Sequence, residues 1–479
     1  MVDEHVAIQG LSNDVLLCIF LFLRPRCPYL PSSLRPKSSL TWAWHRLAHV
    51  CRRWRYLIFT SPRRLGLGLV ASKKRRGTTL DLWPPLPISI YYDSPWTPSL
   101  EDEQDVITTL EHSDRIFEIK LTISNTLLNS NVWMESFPTL ERLCLSSPPG
   151  YHHSTALPSG FLGGSALASR RLRYIVLKRV SIPTLPQLLL SSRGLIHLYL
   201  GEDVLTGDGF LSPAVLSAAL SAAAQLKSLH VHLPSNIFHE EQGSTDSGLP
   251  PPNLVALPAL IYFKSDGPDE YLEDLVSRIH APLLERICVC VPQQHVQPLD
   301  IPRLSQFISR TERMSSLPFQ TSILLEESGF RISHDFGIRG HICFEFTCDL
   351  GLLEVSQVDH IYRQLTPLMS DVGRVSIEVN ITPPNLPDET DVARWLQLFR
   401  LCGGAQELEL NSEYPVYEAH GSPKLGQEVL PALRILRVYG FDMRLPRFIE
   451  SFVAERELTG RPITLLRPCG GFESGPESA

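Results

Sequence analysis

His45 and His49 stand four residues apart in a stretch of helical spacing, with Cys51 just behind them. That spacing can offer two ligands to a zinc ion from one helix face. A third ligand and a dry shell are not apparent, and no Glu follows His45 to act as the base of a hydrolytic zinc site. A solvated helix face accounts for the pair more simply. Cys288 and Cys290 alternate along a strand-like run, so both thiols face the same way. They could pair for redox or metal chemistry, although buried strand cysteines are the plainer reading. His152-His153 sits in a Gly/Pro/Ser loop and suggests no site. Glu101-Asp102-Glu103 suits a helix start better than a pair of catalytic carboxylates. Phosphate-cradling and nucleophile-elbow glycine motifs are missing from the sequence. Neither an enzyme active site nor a cofactor or metal is expected.

The elements that would position other chemistry begin near the N-terminus. Leu11-Ser12-Asn13-Asp14 leads into nine consecutive apolar residues, Val15 to Leu23. This predicts a helix with no polar face beyond its first turn, which needs cover on more than one side. Four large apolar side chains left in water would forgo about 6–12 kcal/mol of burial, comparable with the roughly 5–15 kcal/mol stability of a domain. A second segment, Trp44 to Ile58, carries an apolar stripe (Trp44, Leu47, Ala48, Cys51, Trp54, Ile58) beside a cluster of Arg. The nine-residue run is too short to span a membrane, and it follows an acidic start with no cleavage-site pattern, so neither anchor nor signal peptide is expected.

Charge is distributed unevenly along the 479 residues. Residues 1–80 hold fourteen Lys or Arg against three acids, while the rest of the chain has a balance of −18. An acidic partner for the N-terminal region follows, either a protein or nucleic acid. Lys73-Lys74-Arg75-Arg76, with Arg63-Arg64 upstream, has the look of a bipartite nuclear-import signal, but a solvated loop beyond a strand explains it as well. Nucleic-acid binding is disfavoured, since no aromatic residue lies among the charges between 63 and 80. The ten cysteines are scattered without a C-x-x-C pair, which fits a reducing compartment. A cytoplasmic and/or nuclear location is therefore expected. Asn380-Ile381-Thr382 is read as an accidental glycosylation sequon.

From residue 63 onward an apolar-x-x-apolar-x-apolar phrase recurs. Examples are Leu140/Leu143/Leu145, Leu172/Ile175/Leu177, Leu195/Leu198/Leu200, Leu226/Leu229/Val231, Leu284/Ile287/Val289, Val372/Val375/Ile377, Ala405/Leu408/Leu410 and Leu433/Leu436/Val438. A weaker copy starts at Leu260 and Phe263. Helical spacing fills some intervals, as at Leu272/Leu275/Val276/Ile279 and Val392/Trp395/Leu396/Phe399. Strand, turn and helix in repeated order predict a solenoid with its strands stacked along one face. The Asn that closes the strand phrase of leucine-rich repeats is kept only at Asn380, so the array should be irregular. Residues 300–360 break the period, although Gly340 to Phe346 still alternates like a strand. Phe448/Ile449/Phe452/Val453 and Pro462 to Leu466 look like a cap, and the tail from Pro468 should be disordered.

The phrase Leu11-Ser12-x-Asp14-Val15-Leu16-Leu17-x-Ile19-Phe20-x-x-Leu23, followed by Leu47-Ala48-His49-Val50-Cys51-Arg52-Arg53-Trp54-Arg55-x-Leu57, resembles an F-box. The likeness is to the large fungal (basidiomycete-type) F-box families, in which the box is followed by a phrase like Ser61-Pro62-Arg63-Arg64-Leu65. Their irregular arrays carry phrases like Pro138-x-Leu140-Glu141-x-Leu143 and Ala281-Pro282-Leu283-Leu284-Glu285. The resemblance implies an α+β or α/β chain: a flexible start (1–10), a three-helix F-box-like domain (11–62), an irregular leucine-rich-repeat-like solenoid (63–467) and a tail (468–479). It implies a Skp-type adaptor as partner, a cullin–RING ubiquitin ligase reached through that adaptor, and an unknown target protein held by the array. Residues matching the adaptor contacts are Leu11, Ser12, Val15, Leu16, Ile19, Phe20, Val50, Cys51 and Trp54. Two departures from the pattern are Ser12, where the families carry Pro, and a Pro/Arg/Ser insertion over Arg24–Thr41. Ser12 can cap the helix instead. Tyr199, Tyr262 and Tyr439, near strand positions, are candidate target contacts. Other readings are a repeat scaffold whose box packs internally, and a nucleic-acid binder using the basic N-terminal region.

Overall fold

A computed structural model describes residues 10–22, 47–61, 69–71, 87–92, 100–148, 155–164, 171–201, 211–233, 254–292, 301–311, 320–326, 329–336, 340–347, 373–380, 399–400, 402–412, 430–439 and 447–466. The protein is mixed α/β with mostly parallel strands, and it divides into two compact units, Met1–Ser192 and Arg193–Ala479. That division falls within the run of repeats. The insertion at Arg24–Thr41, Trp44, His45, His152-His153, Lys73–Arg76, Trp395, Leu396 and the tail from Pro468 all lie outside the described residues.

The first unit begins with helix α1 (Asn13–Phe22) and helix α2 (Arg52–Thr60). Its strands β1 (Leu69–Ala71), β2 (Ile88–Tyr92), β3 (Ile116–Thr122), β4 (Arg142–Ser146) and β6 (Tyr174–Lys178) pair in parallel in that order. Two short strands, β5 (Thr155–Ala156) and β7 (Val180–Ser181), form a separate parallel pair. Alternation along each strand places Ile90, Ile119, Leu143 and Ile175 in one buried row, and Leu121, Leu145 and Leu177 in the next. Helix α3 (Leu100–Leu110) opens on Glu101, Asp102 and Glu103, as expected of acids at the positive end of a helix dipole.

In the second unit the strands are β8 (His197–Gly201), β9 (Ser228–His232), β11 (Tyr262–Asp266), β13 (Arg286–Pro292), β14 (Gln320–Glu326), β15 (Gly329–Asp335), β16 (His341–Thr347), β17 (Arg374–Asn380), β18 (Glu407–Ser412), β19 (Ile435–Tyr439) and β20 (Thr464–Leu466). Their order is β8-β9-β11-β13-β16-β15-β14-β17-β18-β19-β20, and β15 alone runs antiparallel to its neighbours. A second small parallel pair joins β10 (Val255–Ala256) to β12 (Ile279–His280). The repeat phrase explains the register. Leu198, Leu229, Phe263, Ile287 and Ile342 align as in-register neighbours, all buried. The same backbone turn precedes several copies: the amides of Leu226, Leu260, Leu284 and Leu433 donate to the carbonyls of Ala223, Leu257, Ala281 and Leu430. The copy at Leu260 and Phe263 is a full strand, and Thr464–Leu466 pairs with β19.

Among the described residues, the break over 300–360 contains an inserted hairpin, β14–β15. Its two strands are joined by only two residues, which permits an antiparallel turn but not a crossover. Gly340 opens β16, where a Cβ would sit 2.8 Å from the Glu285 carbonyl oxygen. Helix α4 (Asp269–Ser277) packs against helix α5 (Pro302–Ser309). The buried Glu273 carboxylate accepts from the Arg303 amide at 2.7 Å and the Leu304 amide at 2.8 Å, capping the open end of α5.

Candidate protein-docking site

Helix α1 packs on α2, and Phe20 meets Trp54 edge to face with ring centroids 4.8 Å apart. Leu16, Leu17 and Phe20 recur at helical spacing on the covered side of α1, where Leu16 is 0% and Phe20 4% exposed. Leu57 and Ile58 are buried on α2. Arg53 ties the two together, donating to the Leu11 carbonyl and, at 2.8 Å, to the Asn13 side chain. The hydroxyl of Ser12 accepts from the Val15 amide at 3.3 Å, so it caps α1 as its chemistry suggests.

The other side of α1 stays open. Val15 is 45% exposed and Ile19 38%, with Cys18 exposed between them. Val50, in the turn before α2, is 59% exposed, and Tyr56 is exposed further along. The predicted contact residues therefore separate into two groups. Ser12, Val15, Ile19, Val50 and Cys51 are exposed, and Leu11 is partly so. Leu16 and Phe20 are buried and Trp54 is half-buried. Among the described residues the all-apolar helix is thus covered on one side within its own unit and exposed on the Val15–Ile19 side.

The second segment is not one continuous helix. Its chain turns at His49–Val50, and Cys51 has extended backbone (φ −157°) with its sulfur accepting from the Trp54 amide at 3.4 Å. A new helix starts at Arg52. The expected apolar stripe is broken there, and Cys51 is exposed. His49 is an exposed turn residue, and its would-be zinc partner His45 lies outside the described residues. Among the described residues no group of three or more His, Cys, Asp or Glu is arranged to hold a metal ion. No described helix is long and apolar enough to cross a membrane.

A second chemically dense surface lies on the half-buried face of β8–β9–β11–β13–β16, opposite the buried rows. Register aligns Tyr199, His230, Lys264, Cys288 and Cys343 in one line, and His232, Asp266, Cys290 and Glu345 in the next. Asp266 Oδ2 accepts from His230 Nε2 at 2.7 Å and Lys264 Nζ at 3.0 Å, with His232 Nδ1 at 3.3 Å. Burial pushes the Asp266 carboxyl up, but these donors outweigh it and hold it well below the usual carboxylate range. Tyr199 stands edge-on to His230, their centroids 4.3 Å apart. Tyr199, Tyr262 and Tyr439 are all half-buried strand residues. Cys288 and Cys290 share a face as expected, yet both are half-exposed and not core residues. Cys343 lies beside Cys288, a juxtaposition hidden in sequence by 54 intervening residues.

Comparison with known proteins gave no match to any family model or to any curated protein.

Proposed function

We propose that this chain is a non-catalytic substrate-receptor subunit of a Skp-cullin-F-box type ubiquitin ligase. In this reading residues 11–62 are an F-box-like domain that docks a Skp-type adaptor. Residues 63–467 form an irregular leucine-rich-repeat-like solenoid that binds the target protein. The observation that carries the reading is the apolar side of α1 left open at Val15 and Ile19, together with Val50, at positions that match the F-box phrase. Leu16, Phe20 and Trp54 take a different role from the exposed matched residues. They brace α1 against α2, so that the exposed residues are held on a rigid element.

Covering Val15, Ile19 and Val50 would contribute about 2–4 kcal/mol, from roughly half of the ~1.5–3 kcal/mol each gains on full burial. Arg52 and Arg55, exposed on α2, suit an acidic partner. The repeats supply a half-buried sheet face with aromatic residues such as Tyr199 and Tyr262, the kind of side chain enriched in protein recognition. The chain would act by proximity, raising the effective concentration of target lysines near the ligase, with no nucleophile of its own.

Co-expression of the full chain with a Skp-type adaptor tests the proposal. Co-elution on size exclusion is expected, and Val15→Glu combined with Ile19→Glu should abolish it. Failure of the unaltered chain to co-elute, or co-elution that survives both charges, would overturn this docking mode.

A further inference from the structure

Three thiols meet on the half-buried face of the second unit. Cys288 and Cys290 lie two apart on β13, both facing the same way, and Cys343 of β16 is the in-register neighbour of Cys288. All three are half-exposed. Cys290 also points its sulfur at Glu345 Oε2, 3.7 Å away. Hydrogen bonds from the Cys290 and Cys343 thiols bring Cys288 well below the ordinary thiol range and Lys264 helps, while the same sharing pushes Cys290 and Cys343 up. The arrangement sets Cys288 between two further thiols, all within reach of solvent.

We propose that Cys288 and Cys343 form a reversible, peroxide-sensitive thiol pair that clasps β13 to β16. The Cys288 thiolate attacks one oxygen of a hydroperoxide, breaking the O–O bond and releasing an alcohol or water. This leaves a sulfenic acid at Cys288. The Cys343 sulfur then attacks that sulfur, an S–S bond forms as the S–O bond breaks, and the hydroxyl leaves as water with the thiol proton. Two thiols have been oxidised and one peroxide reduced to an alcohol or water and a further water. A dithiol reverses the reaction by exchange.

Geometry selects the partner. The Cβ atoms of in-register neighbours on adjacent strands lie ~5 Å apart, close to the ~3.5–4.5 Å of a disulfide, whereas same-face residues two apart on one strand hold theirs about 6.6 Å apart. The Cβ atoms of parallel neighbours are then slightly wider apart than an unstrained disulfide prefers, which favours ready reduction. The pair would close a loop containing the whole β14–β15 hairpin and cross-link the surface on which Asp266, His230 and Tyr199 stand. It does not depend on the ligase reading.

The test treats the reduced full chain with hydrogen peroxide, followed by alkylation and non-reducing peptide mapping. A Cys288–Cys343 linked peptide that disappears on treatment with dithiothreitol is expected. It should be lost in both Cys288→Ser and Cys343→Ser, and persist in Cys290→Ser. Circular dichroism of each variant checks that the fold is retained, and any variant that fails it is replaced by the corresponding Ala variant. A dominant Cys288–Cys290 link, or oxidation stopping at unlinked sulfinic acid on Cys288, would overturn the proposal. So would Cys288 reacting no faster than the exposed Cys18 and Cys51.

Discussion

His334 should make the second unit acid-sensitive. It sits fully buried on β15 within the apolar row, as the in-register partner of Thr321, whose hydroxyl lies 2.9 Å from its Nδ1. Its Nε2 has no hydrogen-bond partner among the described residues. Burial, helped by the charge of His341, lowers its pKa to about 3. The native state therefore keeps His334 neutral while an unfolded histidine, with a pKa near 6.5, takes up a proton as pH falls. Stability is fully present above pH ~6.5 and lost as the pH drops toward 3. From these two values the linkage amounts to about 2 kcal/mol at pH 5 and about 4 kcal/mol at pH 3. Urea unfolding of the full chain and of His334→Gln at pH 7.5 and pH 5 measures this. The drop in stability between the two pH values should be about 2 kcal/mol smaller in the variant. An equal drop in both proteins would refute the reasoning, as would a native imidazole seen by NMR to titrate near pH 6.5.

Other substitutions separate the roles of neighbouring residues. Glu273→Ala removes the carboxylate that caps α5 at the Arg303 and Leu304 amides, and should lower stability by about 1–3 kcal/mol in urea unfolding. Leu16→Ala, at a fully buried position, should destabilise by about 2–5 kcal/mol, whereas Val15→Ala on the open side should stay within about 0.5 kcal/mol. Differential scanning calorimetry distinguishes the two, and equal losses would mean that Val15 is covered.

Strand positions were legible because the repeat phrase alternates: Leu143/Leu145, Leu229/Val231 and Ile287/Val289 are all buried as their period-2 spacing requires. The acidic start of α3 and the helical spacing of Leu272, Leu275 and Val276 were equally readable, whereas Ile279, read with that helix, belongs to strand β12. Contacts set by distant segments were not. The β14–β15 hairpin carries no copy of the phrase, and the β13–β16 pairing that spans it brings Cys343 beside Cys288 in a way that local pattern cannot encode. Glu273 reads as one more acid on an amphipathic helix until α5 is laid against it. Cys51 went unrecognised as a cap because a thiol is a weak acceptor compared with Ser or Asp. At the candidate docking site, composition identified an oily helix, but only packing showed that Leu16 and Phe20 face inward while Val15 and Ile19 face out.

The most direct test of the central claim is a calorimetric titration of the purified full chain with a purified Skp-type adaptor. Saturable one-to-one binding is predicted, weakened at least about 100-fold by Ile19→Glu as a buried charge replaces an apolar contact, with the thermal midpoint of the free chain unchanged. Absence of binding by the unaltered chain, or undiminished affinity in the Ile19→Glu variant, would contradict the account.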